Sequence, residues 1–284
     1  MKKILTIILV IFIAQVNAQP GTTYTPDGGI NFYVITKEKT HKFQLAVLST
    51  VIRAKIRAFL DRKRFYVITA VSSENASEQM TRVLEKKHKT IDNLWFDSHG
   101  HYKNRYSSFR VGTDIFSYKN INDSVDTKFL KQIAAYCTEY TKIGIGACYA
   151  GADYDFPATD STVATPMKGD SLMIGLGRIF NKSTVYASES WVMSKPGIFS
   201  NKFGFAGYPL EKYHLDSIYA PVWKNLGSWR GYSVAEGKIF KVPTISLNRW
   251  GDIRFRERDF QELEKTKKVI ANRLSRLQAG LIKS

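Results

Sequence analysis

The chain has 284 residues, 44% of them hydrophobic and 13% aromatic, with a formal net charge of +17. That supply of apolar side chains excludes a disordered polymer, and the length suits one large domain or a domain with an extension. The basic excess suits anionic partners, although a merely soluble basic surface has the same composition.

The first element, residues 1–18, reads as a signal peptide. Lys2 and Lys3 form a positive start, Ile4 to Ala14 is an apolar core too short to span a bilayer, and Val16-Asn17-Ala18 offers small residues for cleavage. The mature chain is therefore expected to be exported, to the periplasm or beyond. Ile30 to Thr36 (INFYVIT) reads as a strand. From His41 to Asp61, Leu45, Leu48, Val51, Ile52, Ile56 and Leu60 fall on one side of a helix. Phe65 to Val71 is a second strand. Ser77 to Lys87 is a helix capped by Ser77, with Met80, Val83 and Leu84 inward. A third strand runs from Ile91 towards His99, and Phe109 to Val111 with Ile115 to Tyr118 form a hairpin about Gly112-Thr113-Asp114.

Thr127 to Tyr140 (TKFLKQIAAYCTEY) has helical spacing, and a strand follows from Lys142 to Ala147. After a long loop from Tyr149 to Asp170, a helix is expected over Ser171 to Phe180 and a strand over Ser183 to Ser188. Strand and helix alternating in this way imply an α/β fold, a mostly parallel sheet sandwiched by helices. The domain is expected to fill residues 19–215. Residues 216–284 then form a basic, aromatic-rich extension ending in an amphipathic helix, with Phe260, Leu263, Ile270, Leu274, Leu277 and Leu281 at three- and four-residue steps. From Lys224 onward there are 14 basic and 6 acidic residues. This region suits an anionic envelope surface, a short coiled coil or, most simply, packing on the domain.

Two of the predicted strands end in reactive side chains: Ile91 onward in Ser98-His99-Gly100, and Lys142 onward in Gly146-Ala147-Cys148. The C-terminal strand edge of a parallel sheet is where ligand sites are built. An imidazole held beside a thiol there promotes the thiolate, which makes Cys148 the candidate nucleophile and His99 its proton partner. A Cys137–Cys148 disulfide is not expected, because the predicted strand separates the two by ~17 Å, far beyond the roughly 7 Å that a bridge allows.

This order of motifs resembles the caspase-like cysteine peptidases, the group of caspases, legumain, gingipains, clostripain and CHAT-type bacterial proteases, over roughly residues 30–190. The resemblance implies an endopeptidase acting on protein or peptide through an acyl-enzyme. Cys148 would attack the carbonyl, His99 would protonate the leaving amine, and the backbone N–H groups of Gly100 and Cys148 would hold the oxyanion. The segment after the last predicted strand, Ser188 to Trp191, would help form the pocket for the residue before the cut. Glu189, Ser190 and Trp191 are thus substrate-binding candidates, with Asp153 and Asp155 as rival carboxylates. No cofactor is implied, and the sequence does not indicate the structural calcium that some relatives carry. One departure is plain: Gly146 stands where better-known members carry Gln or Asp.

Three other readings compete. Asp97, His99 and His101 share a strand and suit metal ligation, but the remaining histidines, His41, His88 and His214, stand in no partner motif. The turn at Cys148 also resembles a nucleophile elbow, which would draw on His214 and Asp216 and make an esterase-type hydrolase. A catalytically silent member that binds an envelope partner is the third.

Overall fold

A computed structural model describes residues 28–37, 64–100, 106–156, 165–190, 192–193, 205–206, 228–242, 245–247 and 251–255, with isolated helical positions at 52, 55, 56 and 59 and at 268, 272 and 276. Residues 1–18, read as a signal peptide, and His41, His101, Trp191, His214 and Asp216 lie outside the described residues.

The elements run β1 (Ile30–Thr36), β2 (Phe65–Ala70), α1 (Ser73–Lys87), β3 (Ile91–Asp97), β4 (Ser108–Val111), β5 (Asp114–Ser117), α2 (Lys128–Ala134) and β6 (Cys137–Gly146). Next come β7 (Asp155–Phe156), β8 (Thr165–Pro166), α3 (Gly169–Ile179), β9 (Thr184–Ser188), β10 (Val192–Met193) and β11 (Phe205–Ala206). The last are β12 (Trp229–Ser233), β13 (Lys238–Val242), β14 (Ile245–Leu247) and β15 (Ile253–Phe255). Seven strands form the main sheet in the order β13-β12-β9-β6-β3-β1-β2. Its β2, β1, β3, β6 and β9 are mutually parallel, β12 adds antiparallel to β9, and β13 adds antiparallel to β12. The chain is therefore α/β with a mostly parallel sheet.

Successive side chains of a strand point to opposite faces, and here both faces are covered. On one, Phe32, Val34, Leu94, Phe96, Ile143, Ile145, Val185 and Ala187 pack with Met80 and Leu84 of α1, Leu130 and Ile133 of α2, and Leu172 and Leu176 of α3. On the other, Tyr33, Phe65, Trp95, Tyr186 and Trp229 pack with Ile245 of β14 and Ile253 of β15. Among the described residues, that second face is covered by strands of a smaller sheet, β10-β11-β14-β15. Buried on both faces, the central strands are near-continuous apolar runs, which is why they stand out in the sequence.

Several boundaries differ from expectation. Helix α1 starts four residues before Ser77, because the hydroxyl of Ser72 accepts from the Asn75 N–H at 3.1 Å and Asp114 accepts from the Ser73 N–H at 2.7 Å. Ser77 instead lies buried within the helix and donates to Gln132. Helix α2 stops at Ala134, and Cys137 opens β6 opposite Ile91. A bulge then holds Thr138 to Thr141 before regular pairing resumes at Lys142. Ile52 and Ile56 are helical but 49% and 43% exposed, not inward, as is Phe59 at 63%. Helical periodicity identifies faces, and it does not say which face is covered. Lys268, Asn272 and Arg276, spaced by four, are helical and exposed, and the apolar positions of the expected C-terminal helix lie outside the described residues. Strands β12 to β15 fall beyond residue 215, so the region read as an extension supplies two strands of the main sheet.

Candidate active site

β3 and β6 are neighbours, with Asp97 opposite Gly146. Ser98-His99-Gly100 and Ala147-Cys148 therefore leave the sheet side by side. They touch at their backbones: a Cβ placed on Gly100 would lie 1.9 Å from the carbonyl oxygen of Cys148 and 2.8 Å from its carbonyl carbon. No side chain fits there, so the glycine is required by the close approach. The Ser98 hydroxyl accepts from the Arg110 N–H at 3.0 Å, tying this loop to the β4–β5 hairpin. The hairpin is anchored in turn by the Thr36 hydroxyl, which donates to the Arg110 carbonyl at 2.9 Å. His99 follows Ser98 directly and is exposed at the sheet edge.

Gly144 and Gly146 make room on the second face. A Cβ on Gly144 would meet the Trp95 ring at 2.3 Å, and one on Gly146 would meet Trp95 Nε1 at 2.4 Å. The buried indole thus occupies the space that a Gln or Asp at position 146 would need. This is the physical reason for the departure from the caspase-like pattern.

Beyond Cys148 the chain turns sharply. Tyr149 sits in the left-handed region at φ +62°, a conformation that costs a non-glycine residue about 1–3 kcal/mol. The turn is held by the Tyr149 N–H donating to the Ser190 carbonyl at 2.9 Å and the Gly151 N–H donating to the Ser188 carbonyl at 2.8 Å. Two residues on, the Val192 N–H donates to Cys148 Sγ at 3.4 Å. The N–H groups of Gly100 and of Cys148 itself also act on the sulfur and favour its thiolate. Burial opposes them and is the largest influence, and the nearby Asp97 charge adds to it, so the thiol is pushed above its ordinary value. A thiol in this setting stays protonated at neutral pH until a base takes its proton.

Asp97 sets the electrostatics of this edge. Its carboxyl accepts a short hydrogen bond from the Tyr33 hydroxyl. Burial pushes it up to about 6, against the lowering effect of that hydrogen bond. In the sequence it figured only as a potential metal ligand. Its parity with Trp95 puts it on the second face, but its position opposite Gly146 is a matter of register that no local pattern encodes.

The specificity candidates separate. Glu189 is buried, and its carboxylate lies 3.9 Å from Arg230 Nε, which also pairs with Asp170 through a hydrogen bond of 3.0 Å. Burial raises both carboxyls and Arg230 pulls them back. Asp153 joins the same cluster, accepting from the Asp170 N–H at 3.4 Å and adding its charge against Glu189. Glu189 and Asp153, which read as rivals in the sequence, thus belong to one network centred on a guanidinium supplied by β12. Ser190 is fully buried and serves through its backbone. Asp155 contributes its backbone to the β7–β8 ribbon opposite Pro166.

Both cysteines are free. Cys137 is buried at the far end of β6 from Cys148, its thiol pushed up to about 12 by burial. The separation expected from the sequence holds, with Cys137 on the strand instead of a helix.

No family model matches the chain, and no curated protein matches it. Among solved structures, caspase-1 from Spodoptera frugiperda is similar at 14% identity over 64% of this chain and 69% of that chain, with a TM-score of 0.29. That superposition is too loose to carry chemistry from one chain to the other.

Proposed function

We propose that the protein is an exported cysteine endopeptidase in which Cys148 is the nucleophile and His99 its proton partner. The supporting observation is the seating of Gly100 on the Cys148 backbone, which brings the two half-motifs onto one rim with N–H groups around the sulfur. His99 would accept the thiol proton as the sulfur attacks a peptide carbonyl, the C–N bond would break, and the same proton would leave on the amine. Water, activated by the neutral imidazole, would then hydrolyse the thioester. The N–H groups of Gly100 and Cys148, now around the sulfur, would donate to the developing oxyanion. Export is proposed from residues 1–18, and contact with an anionic envelope surface from the basic residues of the C-terminal quarter.

The test is peptide-library hydrolysis with thiol labelling of the purified mature chain. Cys148→Ala is expected to abolish both, and His99→Ala to lower both by at least a hundredfold, in keeping with the usual worth of a general acid–base group. Full hydrolysis in His99→Ala with its loss in His214→Ala would replace this reading with the elbow-type hydrolase. Labelling without hydrolysis of any peptide would favour the silent binding member.

A further inference from the structure

The parallel strands β1 and β2 must be joined by a crossover, and a crossover helix ordinarily lays its apolar side on the sheet. The helical positions between these two strands do otherwise: Ile52 is 49% exposed, Ile56 43% and Phe59 63%. At about 100° per residue the three fall within an arc of about 60°. That arc is the middle of the apolar side that Leu45, Leu48, Val51 and Leu60 complete by their spacing in the sequence. The sheet beside them is covered by other elements. Phe65 of β2 packs with Ile245 and Ile253 on one face, and Ile68 joins the cluster of Met80 and Leu84 on the other.

Charge selects what covers the stripe. Lys55, helical and exposed, borders it about 40° from Phe59, and in the sequence Arg53 falls about 60° beyond Ile56 on the other side. Arg57, Arg62 and Lys63 follow, against the single acidic Asp61. A second copy docked about a two-fold axis would set these cations against themselves, because such a contact pairs a patch with the same patch. A bilayer surface with anionic headgroups answers both features: the apolar stripe enters at the acyl boundary, and the flanking cations lie among the phosphates. We propose that the helix carrying Ile52, Ile56 and Phe59 lies stripe-down in the surface of an anionic phospholipid bilayer and holds the protein there. This inference is independent of the chemistry at Cys148, and it uses residues other than the basic C-terminal quarter.

The experiment is co-sedimentation of the full mature chain with vesicles of phosphatidylglycerol and phosphatidylcholine in equal parts, or of phosphatidylcholine alone. Binding is expected to the first and not the second, and to weaken as salt rises. The triple variant Ile52→Gln, Ile56→Gln, Phe59→Gln keeps every charge and is expected to bind at least about thirtyfold more weakly, because each native side chain withdraws apolar area from water on the bilayer. Urea unfolding checks that the variant is folded. Ile52→Trp, which adds apolar area at the interface, is expected to tighten binding, and it decides alone if the triple variant does not fold. Failure of the wild type to bind the anionic vesicles overturns the proposal, as does equal binding to both vesicle types. Anionic-vesicle binding that neither variant alters also overturns it, and assigns the contact to charge elsewhere on the chain. A wild-type dimer in light scattering that the triple variant converts to monomer, with no vesicle binding, overturns it in favour of a second copy.

Discussion

Replacing Gly100 with alanine tests the contact on which the candidate site depends. The added Cβ would stand 1.9 Å from the Cys148 carbonyl oxygen, where ordinary contact begins at 3.4 Å, so the two backbones must part by about 1.5 Å. Both neighbours are backbone, so neither can rotate away. The glycine is not in the left-handed region, and the penalty is therefore steric. Separation on that scale withdraws the Gly100 N–H from the sulfur. A hydrogen bond to a charged group is worth about 1.5–3 kcal/mol, which raises the thiol pKa by about one to two units. Alkylation at neutral pH should slow by about ten- to a hundredfold, and hydrolysis, which also needs the imidazole in place, by at least about a hundredfold. Global stability should fall by only about 1–3 kcal/mol, the usual cost of overpacking. Stopped-flow labelling and urea unfolding measure the two effects separately. Gly237→Ala serves as a control: at φ +59° with no atom within 4 Å of its added Cβ, it should cost about 1–2 kcal/mol and leave labelling intact. A Gly100→Ala protein that unfolds and labels like the wild type would show that the two loops do not touch.

Other outcomes follow from the same geometry. Native alkylation should consume one thiol, Cys148, while Cys137 reacts only after unfolding, because it is buried and its thiol is pushed up to about 12; mass mapping of the adducts checks this. Gly144→Ala should destabilise the fold by about 1–3 kcal/mol in urea titrations, since its Cβ would overlap the buried Trp95 ring at 2.3 Å. Asp97 has a folded-state pKa of about 6 against 3.8, so its contribution to stability is full below pH 3.8 and is lost as pH rises through 6. Asp97→Asn should therefore be more stable than the wild type at pH 7.5, by up to about 3 kcal/mol, and the difference should vanish near pH 4. Unfolding curves at the two pH values that differ by the same amount would contradict this.

How much was legible in the sequence depended on whether the signal was local. The strands β1, β2 and β9 were readable to within one residue of their ends, and β3 at its start, because a strand buried on both faces needs an unbroken apolar run; β3 stops at Asp97, two residues short of His99. Cys148 and His99 were readable as residues just beyond strand ends, and the neighbouring of β3 and β6 brings their loops together. The start of α1 was not, since several consecutive residues in SSENAS can cap, and the choice is made by Asp114, 41 positions from Ser73. Cys137 read as helical because its pairing with Ile91 is non-local. The Arg230 network was invisible for the same reason: β12 returns from the C-terminal quarter to lie on β9, bringing a cation to Glu189 that no neighbouring residue announces.

β12 has a consequence for what happens if the protein is nicked. It lies between β9 and β13, paired to β9 from Trp229 opposite Ser188 to Ser233 opposite Thr184. A cut in the stretch between β11 and β12 would leave two fragments still stitched by that ladder and by Trp229, whose ring packs tilted against Trp95 at 5.5 Å between centroids. Removing the second fragment altogether would strip β9 to a bare edge, offering its unpaired amides to any passing strand. A nicked molecule should thus stay folded and co-migrate under native conditions, whereas a chain stopped before β12 should clump.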